Sequence, residues 1–293
     1  MTDIALCWFC ILAAFALVTI HPAWWTVLLA IPVIGNRYYG LFLIGHDGMH
    51  RRVFPNVKRN DLWTDLLILA PIGAITRINN HNHLAHHRSL STPQDPDRHK
   101  HACFNKSDRV ELLEFLSGIS SVWHSAKTVY ASHHPTGSSA AATDPAYIGY
   151  TFRDFVLLAG WFIVLTVGLT WAIGWWAYPV LWLLPVYLFM FLCDSFRSFA
   201  EHSHPEGDRD SDRHRMISYI SNPLERTFIS PMNMNYHVVH HLWPSIPYYN
   251  LPEADRLIRL HPNSIAFEWR KSYFGYLFRY WSALPIAECK QAR

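Results

Sequence analysis

The chain has 293 residues, of which 51% are hydrophobic, 15% are aromatic and only 16% are charged. A soluble domain usually carries about 25% charged residues, so this composition excludes a disordered or extensively solvated protein. The formal net charge of +3 is too small to suggest a nucleic-acid-binding protein, which needs a concentrated basic face, and we expect no nucleic-acid partner.

Two long stretches of the chain contain no charged residue. The first covers residues 4–36 and the second covers residues 155–193. Because one membrane-spanning helix needs about 20 apolar residues, each stretch is long enough for two spans. A break at Pro22 divides the first stretch, and a break at Gly174 divides the second. We therefore predict two hairpins of spanning helices, over residues 4–20, 23–45, 155–174 and 178–198.

The lysine and arginine residues predict an orientation. Of these 25 residues, 24 lie in residues 51–153 or 197–293, and the exception is Arg37 in the second predicted span. Since positive charge favours the cytoplasmic side of a membrane, we expect both termini in the cytoplasm. Residues 46–153 and 199–293 are then expected to fold together into one helical cap. The prediction is a single all-α integral membrane domain over residues 1–293, in an inner or plasma membrane.

Four smaller features are interpreted from their composition. The apolar stretch 66–75 is too short to span a membrane and is expected to be re-entrant, interfacial or part of the core. Cys7 and Cys10 lie in an apolar run and are expected to pack as small apolar residues. Arg37 is expected to be an ion-paired or snorkelled anchor. Residues 136–143 are predicted to form a flexible loop.

Histidine is unusually abundant, with 19 residues, and eight of them form three clusters. The clusters read HDGMH, HLAHH and HVVHH in chain order. On a helix, positions three or four residues apart share one face, so each cluster presents two or three imidazoles to one metal ion. Eight imidazoles exceed the needs of one ion, and two metals are therefore predicted. The eight residues are His46, His50, His83, His86, His87, His237, His240 and His241.

The type of ligand narrows the chemistry without selecting one metal. Imidazole suits zinc, copper, iron and nickel, whereas zinc provides no redox chemistry. Two redox metals at a membrane surface indicate oxygen activation on an apolar substrate.

The three clusters resemble the histidine boxes of the membrane fatty-acid desaturase and hydroxylase superfamily, in its bacterial form. The Asp95–Asp97 stretch and the stretch that runs from Asn235 to Pro244 strengthen the resemblance, which extends over about residues 35–260. It implies a non-haem di-iron centre held by histidines. It also implies a ninth ligand between the last span and the third cluster, for which His202 occupies the matching position and His204 is the rival.

Four further side chains are expected to act behind the ligands. A ligating imidazole usually donates its second N–H to a carboxylate or a carbonyl group, and three carboxylates lie beside a cluster or near the end of a span. One of them alternatively pairs with Arg197, three residues along. An asparagine beside the third cluster is a candidate for holding a water molecule or orienting a ligand, as is Asn235. The four candidates are Asp47, Asp194, Glu201 and Asn233.

The resemblance implies a membrane-bound, O2-dependent oxidoreductase that introduces a double bond into an acyl or similar lipid-like chain. A hydroxylase or ketolase of the same superfamily, acting on a lipid, a carotenoid or a small natural-product precursor, is the alternative. No block of sequence remains for a fused electron-donor module, so a separate ferredoxin or reductase is expected as partner. The substrate and its carrier stay open.

Two functions outside the superfamily compete with this interpretation. The HDGMH cluster is similar to the HExxH pattern of zinc metallopeptidases, but aspartate is shorter than the glutamate which that pattern requires. A single zinc site also leaves the other two clusters without a role. A membrane metal transporter should carry its metal-binding groups within the spans, whereas most of the clustered histidines lie in the polar blocks.

Overall fold

The computed structural model describes residues 1–90, 92, 94–97, 100, 108–133, 149–203, 216–261 and 267–285. Within this part of the chain the structure is mostly helical. The helices of the first half are α1 (Thr2–Ile20), α2 (Trp24–Met49), α3 (Val57–Thr64), α4 (Thr76–Ser89), α5 (Arg109–Leu116) and α6 (Ile119–His133). Those of the second half are α7 (Phe152–Ala172), α8 (Pro179–His202), α9 (Pro223–Phe228), α10 (His237–Leu242), α11 (Leu251–Leu260) and α12 (Tyr273–Ala283).

A small sheet departs from the all-α expectation. Strands β1 (Ile217–Tyr219) and β2 (Glu268–Arg270) pair in parallel, with Tyr219 opposite Arg270. Each strand has only three residues, so the sheet is a short pairing between two segments that are far apart in the sequence. The predicted loop at 136–143 and the rival ligand His204 lie outside the described residues.

Four of the helices, α1, α2, α7 and α8, are long and apolar enough to cross a membrane. They correspond to the four predicted spans. Two of them extend beyond the C-terminal ends predicted from the apolar residues, because polar residues there continue the helix. Helix α2 runs on to Met49 and so includes His46, while α8 runs on to His202. The ends of both spans therefore deliver candidate ligands.

The chain divides into two compact units. The first contains residues 1–83 and 120–186, and the second contains residues 84–119 and 187–293. The division falls inside three helices, after His83 in α4, after Ile119 in α6 and after Val186 in α8.

In the first unit, α2 packs closely on the segment that follows it. A Cβ atom on Gly48 would lie 2.4 Å from Cγ2 of Thr64, and one on Gly45 would lie 2.8 Å from Cγ2 of Ile68. Real Cβ atoms do not approach other atoms so closely, so a larger residue at either position would force Thr64 or Ile68 to move. The two glycines allow the C-terminal end of α2 to contact α3 and the turn that follows α3.

The predicted short apolar stretch lies in the core of this unit. It forms a π-helical turn (Asp65–Leu69) followed by a 3-10 turn (Ala70–Ile72). Pro71 has no N–H to offer the carbonyl of Leu67, four residues earlier. The indole of Trp8 donates to that carbonyl at 2.8 Å, and the indole of Trp182 donates to the Pro71 carbonyl at 3.3 Å. Aromatic side chains from two spanning helices thus satisfy the backbone of the broken helix.

The remaining predictions for the first unit concern the two N-terminal cysteines and Arg37. Cys7 is buried and both it and Cys10 are free thiols, as expected for packing residues. Arg37 donates from Nε to Oδ1 of Asn36 at 3.0 Å, so an amide is its neighbour inside α2.

In the second unit, the end of α8 is surrounded by α5, α12 and β1. Two π-helical stretches interrupt α8, at Pro179–Leu183 and at Tyr187–Cys193. The second stretch approaches Gly118, where a Cβ atom would lie 2.9 Å from the carbonyl carbon of Phe191 and where φ is +76°. Only glycine fits both the close approach and this left-handed conformation.

Candidate metal centre

The first unit brings three of the predicted ligands together. His46 and His50 lie one turn apart at the end of α2, and His83 lies on α4. The Nε2 atoms of His50 and His83 are 3.0 Å apart. One ring nitrogen of each of the three residues lies within 4.8 Å of those of the other two. This first-unit triad therefore presents three imidazoles to one point.

Polar side chains fix the backbone around the triad. Asn60 is fully buried; its Nδ2 donates to the Gly48 carbonyl at 2.8 Å, and its Oδ1 accepts from the Val53 N–H at 3.1 Å. The Asp65 carboxylate accepts from the N–H of Thr76 at 2.6 Å, at the start of α4. Burial raises the pKa of Asp65, and its hydrogen bonds with Thr76 oppose that rise. These contacts fix the end of α2 and the start of α4.

The second unit brings the remaining six histidines together. His86 and His87 extend from α4, and the others come from the end of α8 and from α10. The Nε2 atoms of two pairs face each other, at 3.0 Å between His202 and His237 and at 3.2 Å between His87 and His240. Ring nitrogens of a third group lie within 4.8 Å of one another. That group is His86, His202 and His241.

Two carboxylates lie behind this second-unit cluster. The Nδ1 atom of His86 is hydrogen-bonded to Oδ1 of Asp95 at 2.9 Å, and Asp95 is buried. The Nδ1 atom of His237 lies 3.1 Å from Oε2 of Glu201, which is fully buried. A ligating imidazole usually donates its second N–H to a carboxylate, so this arrangement favours a proton on Nδ1 and leaves Nε2 for the metal.

The donor set fits a metal centre. Burial, with help from Arg52, lowers the pKa of His50 to about 4, and burial lowers the pKa of His241 well below its usual value. Both imidazoles are thus neutral, the form that binds metal. Two nitrogen ligands at about 2.1 Å from one ion lie about 3 Å apart when their bonds meet at a right angle. The facing Nε2 pairs have this separation.

The remaining residues predicted to act behind the ligands contact different parts of the structure. Asp47 is buried in α2, next to His46 in sequence. Asp194 accepts from Arg197 at 2.8 Å, as the alternative interpretation has it, and the same guanidinium also donates to Glu201 at 2.8 Å. Asn233 has a positive φ of 57° and donates to the Tyr248 carbonyl at 3.2 Å. Asn235 donates to the Tyr219 carbonyl and so joins the third cluster to β1.

Two residues near the cluster were not assigned a role from the sequence. Asp95 lies in one of the motifs that strengthen the family resemblance, and its position nine residues after His86 was the available signal. Tyr273 donates its hydroxyl proton to Glu201 at 2.7 Å from 72 residues away. No spacing in the sequence indicates that contact, since it depends on how α12 packs against α8.

Comparison with known proteins identifies relatives along most of the chain. A sequence model of the family described as "Fatty acid desaturase" matches residues 22–271. The chain is 28% identical over 254 residues to a beta-carotene ketolase from Paracoccus sp., a match that covers 83% of this chain and 88% of the ketolase. It is 24% identical to the dihydrorhizobitoxine desaturase of Bradyrhizobium elkanii, with 89% of this chain and 76% of that protein covered.

A plant protein is similar over a smaller share of its own length. The chloroplastic omega-3 fatty acid desaturase of Glycine max is 27% identical over 237 residues, which is 75% of this chain and 51% of the plant protein. The chain thus spans about half the length of that desaturase and most of the length of the two bacterial relatives.

Proposed function

The chain belongs to the fatty acid desaturase family and is a lipid-modifying membrane oxidoreductase, and from this premise we propose that it introduces a double bond into an acyl or similar lipid-like chain, with O2 as oxidant. The observation that carries the proposal is the convergence of the second-unit cluster: six imidazoles, with Nε2 atoms facing in pairs at 3.0 and 3.2 Å and with buried carboxylates behind two of them.

The proposed cofactor is a pair of non-haem iron ions held by nine histidines. The chemistry of the donor set supports it, because neutral imidazole suits iron and the relatives are oxidoreductases. We propose Asp47, Asp194, Glu201 and Asn233 as the residues that act behind the ligands, in one desaturase domain over residues 1–293. The proposed ligands are His46, His50, His83, His86, His87, His202, His237, His240 and His241.

The balance of the reaction requires partners. When bound, the two irons supply the redox chemistry by which O2 is reduced while two C–H bonds of the substrate are cleaved. Forming one C=C bond in this way converts O2 to two molecules of water and consumes two further electrons and two protons. A separate ferredoxin or reductase is the proposed electron donor. The side chains of this protein hold the imidazole lone pairs in place, and Asp95 and Glu201 keep protons on Nδ1 of their histidine neighbours.

The proposed orientation places the ends of α2 and α8 in the cytoplasm. The distribution of lysine and arginine supports it, as 24 of the 25 lie in residues 51–153 or 197–293. In this arrangement the four spans form two hairpins, and the polar blocks form a helical cap on the cytoplasmic side of an inner or plasma membrane. The histidines then lie on the side where a soluble electron donor has access.

A second candidate is oxidation of a carotenoid or a similar non-acyl substrate to a hydroxyl or keto product. The match to the Paracoccus beta-carotene ketolase favours it, because that match covers 88% of the ketolase, whereas the match to the Glycine max desaturase covers 51% of that protein. The same histidine set serves both reactions.

Metal analysis of protein purified in detergent tests the proposal first. We expect about two irons per chain in the wild type and their loss in a His86→Ala/His240→Ala variant, with a variant at the exposed His21 (His21→Ala) as control. Profiles of acyl chains and of carotenoids from two expressing strains, one of which makes beta-carotene, then separate the two candidates. One zinc per chain, or iron that the double variant retains, would contradict the di-iron assignment.

A further inference from the structure

A chain of buried polar contacts joins the C-terminal helix to the second-unit cluster. Glu201 is its centre, with no exposed surface. Its Oε1 atom accepts a hydrogen bond from the Tyr273 hydroxyl at 2.7 Å, while Oε2 accepts from Nη1 of Arg197 at 2.8 Å and lies 3.1 Å from Nδ1 of His237. The carboxylate therefore has one partner on each of three sides, and two of them determine which way it faces the imidazole.

The structure around Tyr273 holds its ring firmly. Its ring stacks on that of Tyr219, with centroids 3.9 Å apart and an interplanar angle of 16°. Glu225, also buried, accepts from the Ser272 hydroxyl at 2.6 Å and from the Phe274 N–H at 3.0 Å, which fixes the first turn of α12. Tyr273 is itself fully buried. Its hydroxyl thus has a defined position without any help from Glu201.

Arg197 alone leaves the orientation of this carboxylate less defined. Its guanidinium is shared, because Nη2 donates to Asp194 at 2.8 Å while Nη1 donates to Glu201. The Tyr273 hydroxyl is the contact that reaches the opposite oxygen of Glu201. With both oxygens held, rotation of the carboxylate away from His237 would break the buried hydrogen bond from Tyr273.

We infer that Tyr273 is a positioning residue for the metal centre, whose hydroxyl holds the Glu201 carboxylate against His237 so that the Nε2 atom of His237 faces the metal. This inference rests on the proposed di-iron site. Tyr273 lies just beyond residues 22–271, the part of the chain that matches the family model. The C-terminal helix therefore contributes to the centre from outside the matched region.

A single hydroxyl tests the inference. Tyr273→Phe removes it and keeps the ring that stacks on Tyr219. Tyr276→Phe is the matched control, because Tyr276 is buried in the same helix and its hydroxyl donates to a backbone carbonyl, that of Ser203. Both variants and the wild type are purified as full chains in detergent and loaded with 57Fe. The rate at which a chelator removes each iron and the Mössbauer spectrum of the loaded protein are measured, together with the thermal unfolding midpoint.

We expect Tyr273→Phe to lose one of the two irons about tenfold faster than the wild type. This is near the low end of the loss seen when a group that holds a metal ligand is removed. The quadrupole splitting of that iron alone should change. Tyr276→Phe should match the wild type in both measurements. In a Glu201→Gln background, Tyr273→Phe should add less than it does alone, because the hydroxyl acts through the carboxylate.

The outcomes separate this inference from the proposed function. Two irons in the wild type, with equal release rates and equal spectra in the two tyrosine variants, would overturn the role of Tyr273 and leave the di-iron site standing. Zinc in the wild type would overturn the di-iron site, and the same chelator comparison on zinc would then decide the role of Tyr273. A wild type that binds neither metal would overturn both.

Discussion

Asp95 and Glu201 lie against two different histidines of the second-unit cluster and reach them by different routes. Asp95 approaches from the loop after α4 and hydrogen-bonds to His86 at 2.9 Å. Glu201 is on α8, one residue before His202, and lies 3.1 Å from His237. Each carboxylate favours the tautomer with a proton on Nδ1. The direction of two imidazole lone pairs is therefore set by residues that need not touch a metal.

Replacing Asp95 should weaken metal binding without unfolding the protein. We expect Asp95→Ala to lower iron affinity by about 10- to 100-fold, the usual effect of removing a group that holds a ligating histidine. Competition with a chelator measures it. Asp97→Ala is the control, because the Asp97 carboxylate pairs with Lys100 at 3.1 Å and its backbone N–H, which donates to Asp95, is kept. Equal iron affinities in the two variants would contradict the assigned role of Asp95.

The sequence predicts the candidate ligands better than it predicts the groups behind them. The eight clustered histidines follow from spacing alone, because positions three and four residues apart share a helix face. His202 follows only from the resemblance to the desaturase and hydroxylase superfamily, and Glu201 follows from its place beside a candidate ligand and near the end of a predicted span. Tyr273 could not be predicted, as its contact joins residues 72 positions apart through the packing of α12 on α8.

At the scale of elements, the end of α2 depends on how closely a helix approaches the next segment. Gly45 and Gly48 remove the side chains that would separate α2 from α3 and from the π turn after it. Asn60 then reaches the Gly48 carbonyl and the backbone N–H groups of Val53 and Phe54. The positions of His46 and His50 thus depend on two glycines and an asparagine that are not themselves candidate metal ligands.

An alanine at position 48 should therefore destabilise the first unit. Its Cβ atom would lie 2.4 Å from Cγ2 and 2.5 Å from Oγ1 of Thr64, so the Thr64 side chain, α2 or α3 must shift. We expect Gly48→Ala to cost about 1–3 kcal/mol in the free energy of unfolding, measured by denaturation in detergent. Adding Thr64→Ala should recover part of that loss. Gly160→Ala is the control, because no atom lies within 4 Å of its added Cβ; a loss of stability there as large as that at position 48 would contradict the packing argument.

The long elements were predictable and their irregularities were not. Charge-free stretches predict α1, α2, α7 and α8 because a spanning helix must be apolar over most of its length. The π-helical turns in α8 and the two short strands leave no signal of this kind. They arise where one segment adjusts to another, as at Gly118 and the backbone of Phe191.

At the scale of the whole molecule, the division into two units runs through helices that are continuous. Helix α4 carries His83 in the first unit and His86 and His87 in the second. A single helix of 14 residues therefore supplies ligand candidates to both. A single domain over residues 1–293 stays a prediction.

The proposed orientation makes opposite predictions for two exposed positions of the first unit. In a chain whose five native cysteines are replaced, Pro22→Cys should react with a membrane-impermeant maleimide added to intact cells, because Pro22 lies between α1 and α2. Lys58→Cys, on α3, should react only after the cells are permeabilised. Both side chains are exposed in the protein. The reverse pattern of labelling would contradict the cytoplasmic location of the polar blocks.

The π-helical stretch Tyr187–Cys193 also constrains how the length of α8 can change. A π turn holds more residues than an α turn, and Asp194–His202 follows this stretch directly. One residue of an α-helix corresponds to about 100° of rotation. A one-residue deletion that converts a π turn to a regular α turn removes this surplus residue, so Glu201 and His202 keep the side on which they face α10. The same conversion without a deletion would rotate both residues by about 100°. An alignment of α8 with related helices should therefore be judged by its gaps here as much as by its identities.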